Sequence, residues 1–203
     1  MVNVEISGNN NLVEPGKSGG TKLTHESMNR VFGGPILELI KDVLFSVLDE
    51  CDVCRGSISG EVESLRAAVL DGSLEYEDDA IGNLTGYLDG NFTQTISQKI
   101  NLLCDLLIDA KYDSEELGTV ICADWLRKKL TEWISYDWRE AYVDELSDYK
   151  AQKALQKNCP TTSSIAAQLA AGHAERHLAI REIYPLLAPS VNMAVPEEWI
   201  QEG

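Results

Sequence analysis

A chain of 203 residues with 44% apolar side chains can bury a core and does not have the composition of a disordered polymer. Its 17 basic residues stand against 33 acidic ones, a net charge of −16 with an isoelectric point near 4.5. That field repels phosphate backbones and anionic bilayers, which disfavours nucleic-acid and membrane-surface binding and makes basic protein surfaces the fitting partners. No stretch approaches the roughly 18 apolar residues of a spanning helix. The first residues, MVNVEISGNNN, carry neither the basic leader nor the apolar run of a secretory signal. Five cysteines, an odd number, point to a reducing compartment rather than to a disulfide framework. The expected location is the cytoplasm, or an assembled particle such as a virion.

Val2, Val4 and Ile6 alternate with polar residues and predict a short extended segment. Turn formers follow in Asn9-Asn10-Asn11 and in Pro15-Gly16-Lys17-Ser18-Gly19-Gly20, and Gly33-Gly34 closes a short helical stretch after Thr24. Residues 1–34 are expected to form a flexible arm. Pro35 suits a first helical position, and Ile36, Leu37, Ile40, Val43, Leu44, Val47 and Leu48 fall at helical spacing to about Cys54. A second helix is expected from a Ser59 cap to Gly72, then an acidic connector over 73–79 and a short helix stopped by Gly90. Asn91 is expected to cap a fourth, on which Ile96, Ile100, Leu103 and Leu107 recur every three or four residues.

Asp113 and Glu116 have capping-box spacing and predict the start of a fifth helix running through Leu117, Val120, Ile121, Leu126 and Leu130. Asp137 with Glu140 repeats the box and predicts a sixth to about Lys157. A seventh runs from about Ser163 to Tyr184, ahead of Pro185 and Pro189. The whole reads as an all-α bundle of six to seven helices over 35–189, with a short tail over 190–203 anchored by Trp199 and Ile200.

Catalytic motifs fail on structural grounds. Gly16-Lys17-Ser18 lacks the glycine five residues earlier that a phosphate loop needs, since Asn11 is there, and Gly19-Gly20 opposes the helix that must follow. The same residues spell G-x-S-x-G without the strand and helix a nucleophile elbow requires. Cys51 and Cys54 form a C-x-x-C at the C-terminal end of an apolar helix, where the dipole opposes a thiolate, so they read as buried small residues. His173 and His177, four apart, project from one face and with the two cysteines make a conceivable zinc set. The intervening Ala174-Glu175-Arg176 denies the metalloprotease order, however, and core-edge histidines are the reading adopted, with no cofactor expected. Trp125 and Trp133 flank Arg127-Lys128-Lys129 and read as core-facing aromatics with a solvated basic face.

Charge asymmetry is the remaining feature. Residues 35–124 hold 19 acidic and 5 basic side chains, a net −14, leaving −2 for the rest of the chain. Glu75, Glu77, Asp78 and Asp79 are its densest run, with spacing unlike that of a calcium loop. The expected function is therefore non-enzymatic: an interaction or assembly protein docking on a basic partner or on copies of itself through arm, tail and acidic surface. The alternatives are an acidic nucleic-acid mimic that inhibits a basic protein, and a metal-dependent bundle enzyme built on His173 and His177. Because turn formers interrupt the arm, deleting residues 1–20 is expected to leave helical circular dichroism and melting unchanged while weakening assembly. Cooperative loss of the fold on that deletion would instead make the arm a core element.

Overall fold

The computed structural model describes residues 34–51, 55–91, 93–141, 143, 144, 147 and 162–200, with only the backbone described for 55–57 and 162–171. All regular structure among them is helical. In chain order these are α1 (Pro35–Glu50), α2 (Arg55–Asp71), α3 (Asp79–Gly90), α4 (Gln94–Glu115), α5 (Ala123–Ser135) and α6 (Thr162–Leu187). A 3-10 turn (Ala188–Val191) and the single-turn α7 (Glu197–Ile200) complete the set. The expected arm, with its extended Val2–Ile6 segment, lies outside the described residues except for Gly34, as do most of the predicted sixth helix and the Cys159-Pro160 break.

α4 is the axis. It packs against α1, α3 and α6, and buries Ile100, Leu102, Leu103, Cys104, Leu106, Ile108 and Ala110 around most of its circumference. α1 lays its predicted stripe onto it, with Pro35 at the first helical position. α6 supplies Ala179, Ile180, Ile183, Tyr184 and Leu187 from the other side. α5 closes the bundle through Trp125, Leu126 and Leu130 and touches the 3-10 turn. Burial of Cys104 in this core pushes its thiol pKa up, so it behaves as a small apolar residue.

Several boundaries depart from the periodic reading, each for a local reason. α1 stops at Glu50 rather than near Cys54, and α2 begins at Arg55, which places Ser59 inside the helix. Asn91 does not cap α4; its side chain donates to the Tyr87 carbonyl at 2.7 Å and closes α3. Thr93 takes the N-cap position of α4 and donates its hydroxyl to the Leu88 carbonyl. The Asp113–Glu116 box is not a helix start, because α4 continues to Glu115 and turns at Gly118, whose φ of +64° suits glycine. Thr119 N–H then bonds Asp113 O, and α5 begins only at Ala123. Asp137, by contrast, accepts from the amides of Arg139 and Glu140 as a cap should, and helical backbone follows over 138–141.

Pro185 lies within α6 rather than ending it. The chain reverses only after the 3-10 turn, where Asn192 adopts φ +57° and Tyr184 donates its hydroxyl to the Ala194 carbonyl at 3.0 Å. Val191 is fully buried, so the tail begins inside the core.

One buried cation joins three helices. Lys99 of α4 lies 3.1 Å from Glu50 of α1 and 2.5 Å from Glu182 of α6. Burial works against its charge, but the Glu182 and Glu50 hydrogen bonds outweigh it and its pKa is raised. This contribution to stability is fully present below the ordinary lysine pKa and is lost only as alkaline pH rises through the folded value.

The revised end of α4 has a direct check. Leu103 is fully buried whereas Leu117 is 63% exposed. Leu103→Ala is expected to cost about 2–5 kcal/mol, and Leu117→Ala no more than about 0.5 kcal/mol. Denaturant unfolding of both variants measures the difference. Equal losses would return Leu117 to a core-facing helix.

Candidate functional site

Among the described residues, a cleft of about 330 Å³ lined by charged and aromatic side chains opens where α4, α5, α6 and the α2–α3 connector meet. α4 contributes Asp105 and Asp109, four residues apart and so on one helical face. α5 brings Lys129, Glu132 and Trp133, the residue just beyond it is Tyr136, and α6 adds Arg176 and Ile180. Tyr76 enters from the connector. That connector is anchored below by the buried Leu74 and at its end by Asp78, which accepts from Ala80 N–H at 2.8 Å to cap α3.

Two of the five charged groups lining the cleft, Asp109 and Lys129, are matched to each other. Asp109 accepts from the Tyr76 hydroxyl and from Lys129 Nζ at 2.6 Å. Lys129 also lies 3.9 Å from Asp113, whose carboxylate takes the Trp125 indole N–H at 2.7 Å. Burial opposes the charge on Lys129, yet the Asp109 hydrogen bond and neighbouring carboxylates prevail and raise its pKa. Burial and the Asp109 contact push the Tyr76 phenol up as well, holding it as a neutral donor at physiological pH. Tyr136 Oη and His173 Nδ1 share a hydrogen bond of 2.5 Å, and the Arg176 guanidinium lies 6.0 Å from the Tyr136 ring centroid.

Asp105 differs from its neighbours. Burial raises its pKa, Arg176 opposes the shift without coming into ion-pair contact, and Asp109 adds to it. Its ionised form is thus less favourable in the folded chain than in the unfolded one.

The residues singled out from sequence are distributed otherwise. Cys51 is buried and its thiol donates to the Val47 carbonyl at 3.7 Å, while Cys54 lies outside the described residues. His173 is held by Tyr136. His177 is packed beside Trp138, ring centroids 5.8 Å apart, and edge-on to Trp199 at 6.2 Å. Burial, then Arg181 and Arg139, lower its pKa. Among the described residues no three His, Cys, Asp or Glu side chains converge as metal ligands would.

Trp199, expected to dock outward, instead packs edge-on against buried Tyr184 at 5.3 Å, because the 3-10 turn folds the tail back. Ile200 beside it stays exposed. The acidic run is split by role: Glu75 lies 3.7 Å from Lys111, Glu77 occupies a left-handed turn at φ +64°, Asp78 caps, and Asp79 is exposed in the first turn of α3.

The basic triplet does not form a solvated face either. Lys129 turns into the cleft, and Arg127 pairs with Asp124 and donates to the Val191 carbonyl at 2.7 Å, leaving only Lys128 exposed. Sequence reading passed over Asp105, Asp109, Tyr76 and Arg176. The signal was present: two aspartates one turn apart, inside the long apolar run of α4.

No family model, no curated protein and no solved structure matches the chain. Among the described residues no helix is long and apolar enough to cross a membrane. Fold and cleft together define an acidic all-α bundle with one polar, aromatic-walled cleft among its described helices.

The sign of the Asp105 shift yields a prediction. A carboxyl whose folded pKa exceeds its unfolded value binds protons more tightly in the native state, so stability falls as pH rises between the two. The penalty is absent below about pH 3.9 and is complete once pH has passed the folded value. Asp105→Asn is expected to melt above wild type at pH 7, and this advantage is expected to vanish near the ordinary carboxyl pKa. A variant that melts lower at pH 7 would mean that Asp105 is held by an attraction stronger than its desolvation.

Proposed function

We propose that this chain is a non-enzymatic interaction or assembly protein whose acidic surface docks a basic protein partner. The observation that carries the reading is the internal use of its cations. Of the five basic residues over 35–124, the four with described side chains are each engaged by the chain's own carboxylates. Lys41 pairs with Glu38 at 3.1 Å, Arg66 with Asp49 at 2.6 Å, Lys99 with Glu50 and Glu182, and Lys111 with Glu75. Asp42, Asp71, Glu77, Asp79, Asp89, Glu115 and Glu116 are exposed and lie in no ion pair among the described residues.

A surface maintained only for solubility mixes its signs, because like charges on adjacent helices repel and reduce stability. A basic partner relieves that repulsion and gains the complementary attraction. Each exposed pair contributes only about 0–1 kcal/mol, so the effect is collective and appears mainly in the rate of encounter.

The experiment removes charge while sparing structure. Asp78 caps α3 and Glu75 holds Lys111, so both stay. Glu77→Asn suits the left-handed turn better than glutamate does, and Asp79→Asn, Glu115→Gln and Glu116→Gln complete a surface variant. It is expected to keep its melting temperature and to associate with the partner captured from native lysate at least about tenfold more slowly at low salt. Raising salt from roughly 0.05 to 0.5 M, which shortens the screening length about threefold, is expected to bring wild type down to the variant. Equal association rates at low salt would reduce these carboxylates to a solvating surface.

A further inference from the structure

We propose that the cleft between α4, α5 and α6 receives an arginine side chain of the basic partner, seated against Trp133 and the Asp105 carboxylate. The inference rests on the reading of the chain as an acidic docking protein and goes further, because it assigns one pocket and one side-chain chemistry. The first support is the imbalance inside the cleft. Lys129 is already engaged by Asp109 and Asp113, and Arg176 leans on the Tyr136 ring. Asp105 and Glu132 have no cation within ion-pair distance among the described residues, and Arg176 is the one lining cation without a carboxylate partner, so two unpaired carboxylates stand against one unpaired cation and the balance favours a cationic ligand.

The second support is the walls. Tyr76, Trp133 and Tyr136 line the same cleft as those carboxylates. Carboxylate together with ring face suits a planar, weakly hydrated guanidinium, which stacks on a ring while it donates two parallel hydrogen bonds. An ammonium is more strongly hydrated and has no plane to stack, so lysine fits less well. The third support is solvation. Asp105 is partly withdrawn from water without a compensating ion pair, and an incoming cation supplies what the free protein leaves out. A cleft of about 330 Å³ is ample for one long side chain and small for a folded element.

The full-length protein is titrated into a fluorescein-labelled peptide of alternating Arg and Ser, and into the same peptide with Lys in place of Arg, with anisotropy as the readout. Wild type is expected to bind the Arg peptide about tenfold more tightly. Asp105→Asn is expected to lose about tenfold for the Arg peptide and little for the Lys peptide, and Trp133→Leu to narrow the difference in the same way. Circular dichroism confirms that each variant is folded. The surface variant described above is expected to weaken both peptides equally.

Equal binding of Arg and Lys peptides, or an Asp105→Asn variant that binds the Arg peptide like wild type, would overturn the cleft assignment. The acidic-surface reading would then stand or fall separately on the surface variant. Failure of wild type to bind either peptide at low salt would overturn both. Displacement of the Arg peptide by equimolar spermidine would assign the cleft to a free polyamine instead of a protein side chain.

Discussion

α4 is enclosed by its neighbours, and although the buried hydroxyls of Ser97 and Ser114 go without a hydrogen-bond partner, its apolar residues together with Lys99 and Asp109 set the terms for the rest of this bundle. Its apolar residues require cover from α1, α3 and α6, which fixes where those helices lie. Its polar residues then require particular partners. Lys99 draws Glu50 from α1 and Glu182 from α6, tying the two outer helices across the axis. Asp109 draws Tyr76 from the connector and Lys129 from α5. Each is a contact at a point where shape alone would allow the helix to rotate or slide, so the polar positions on α4 select one arrangement among several apolar ones.

The same arrangement explains why the described residues over 35–135 present so little positive charge. Arg66, Lys99, Lys111, Arg127 and Lys129 are all drawn inward, onto carboxylates or carbonyls of the chain itself. Among the described residues, what remains exposed is mostly negative, with Lys128 and Arg139 as exposed cations. The electrostatic surface is therefore a consequence of how the core's polar contacts are made.

The helical class was legible because α1, α4 and α6 carry long apolar periodicity, and the Asp137 cap was legible because its box spacing is local. The misread elements share a cause. Asp113-Ser114-Glu115-Glu116 has capping spacing, but α4 already has buried residues as far as Ser114, and tertiary burial overrides a local start signal. Pro185 was taken as a terminus, yet Ile183, Tyr184 and Leu187 on either side of it are buried, and their packing carries the helix through. The cleft was illegible for a different reason. Its residues come from positions 76, 102–109, 129–136 and 176–180, and nothing in the spacing of any one segment announces that they meet.

Asp105 is where these considerations come together. A partly buried carboxylate with no cation in contact is what a folded chain ordinarily avoids, and α4 has shown elsewhere that it can supply partners when it needs them. Arg176, the one cation among the described residues that influences it, is set against the Tyr136 ring instead of forming the ion pair. Were Asp105 there only to hold the helices together, closing that gap would be the simplest stabilising change open to the sequence. An unfilled electrostatic demand on the central helix, in a cleft that aromatic residues also line, is the feature on which the proposed docking of a guanidinium rests.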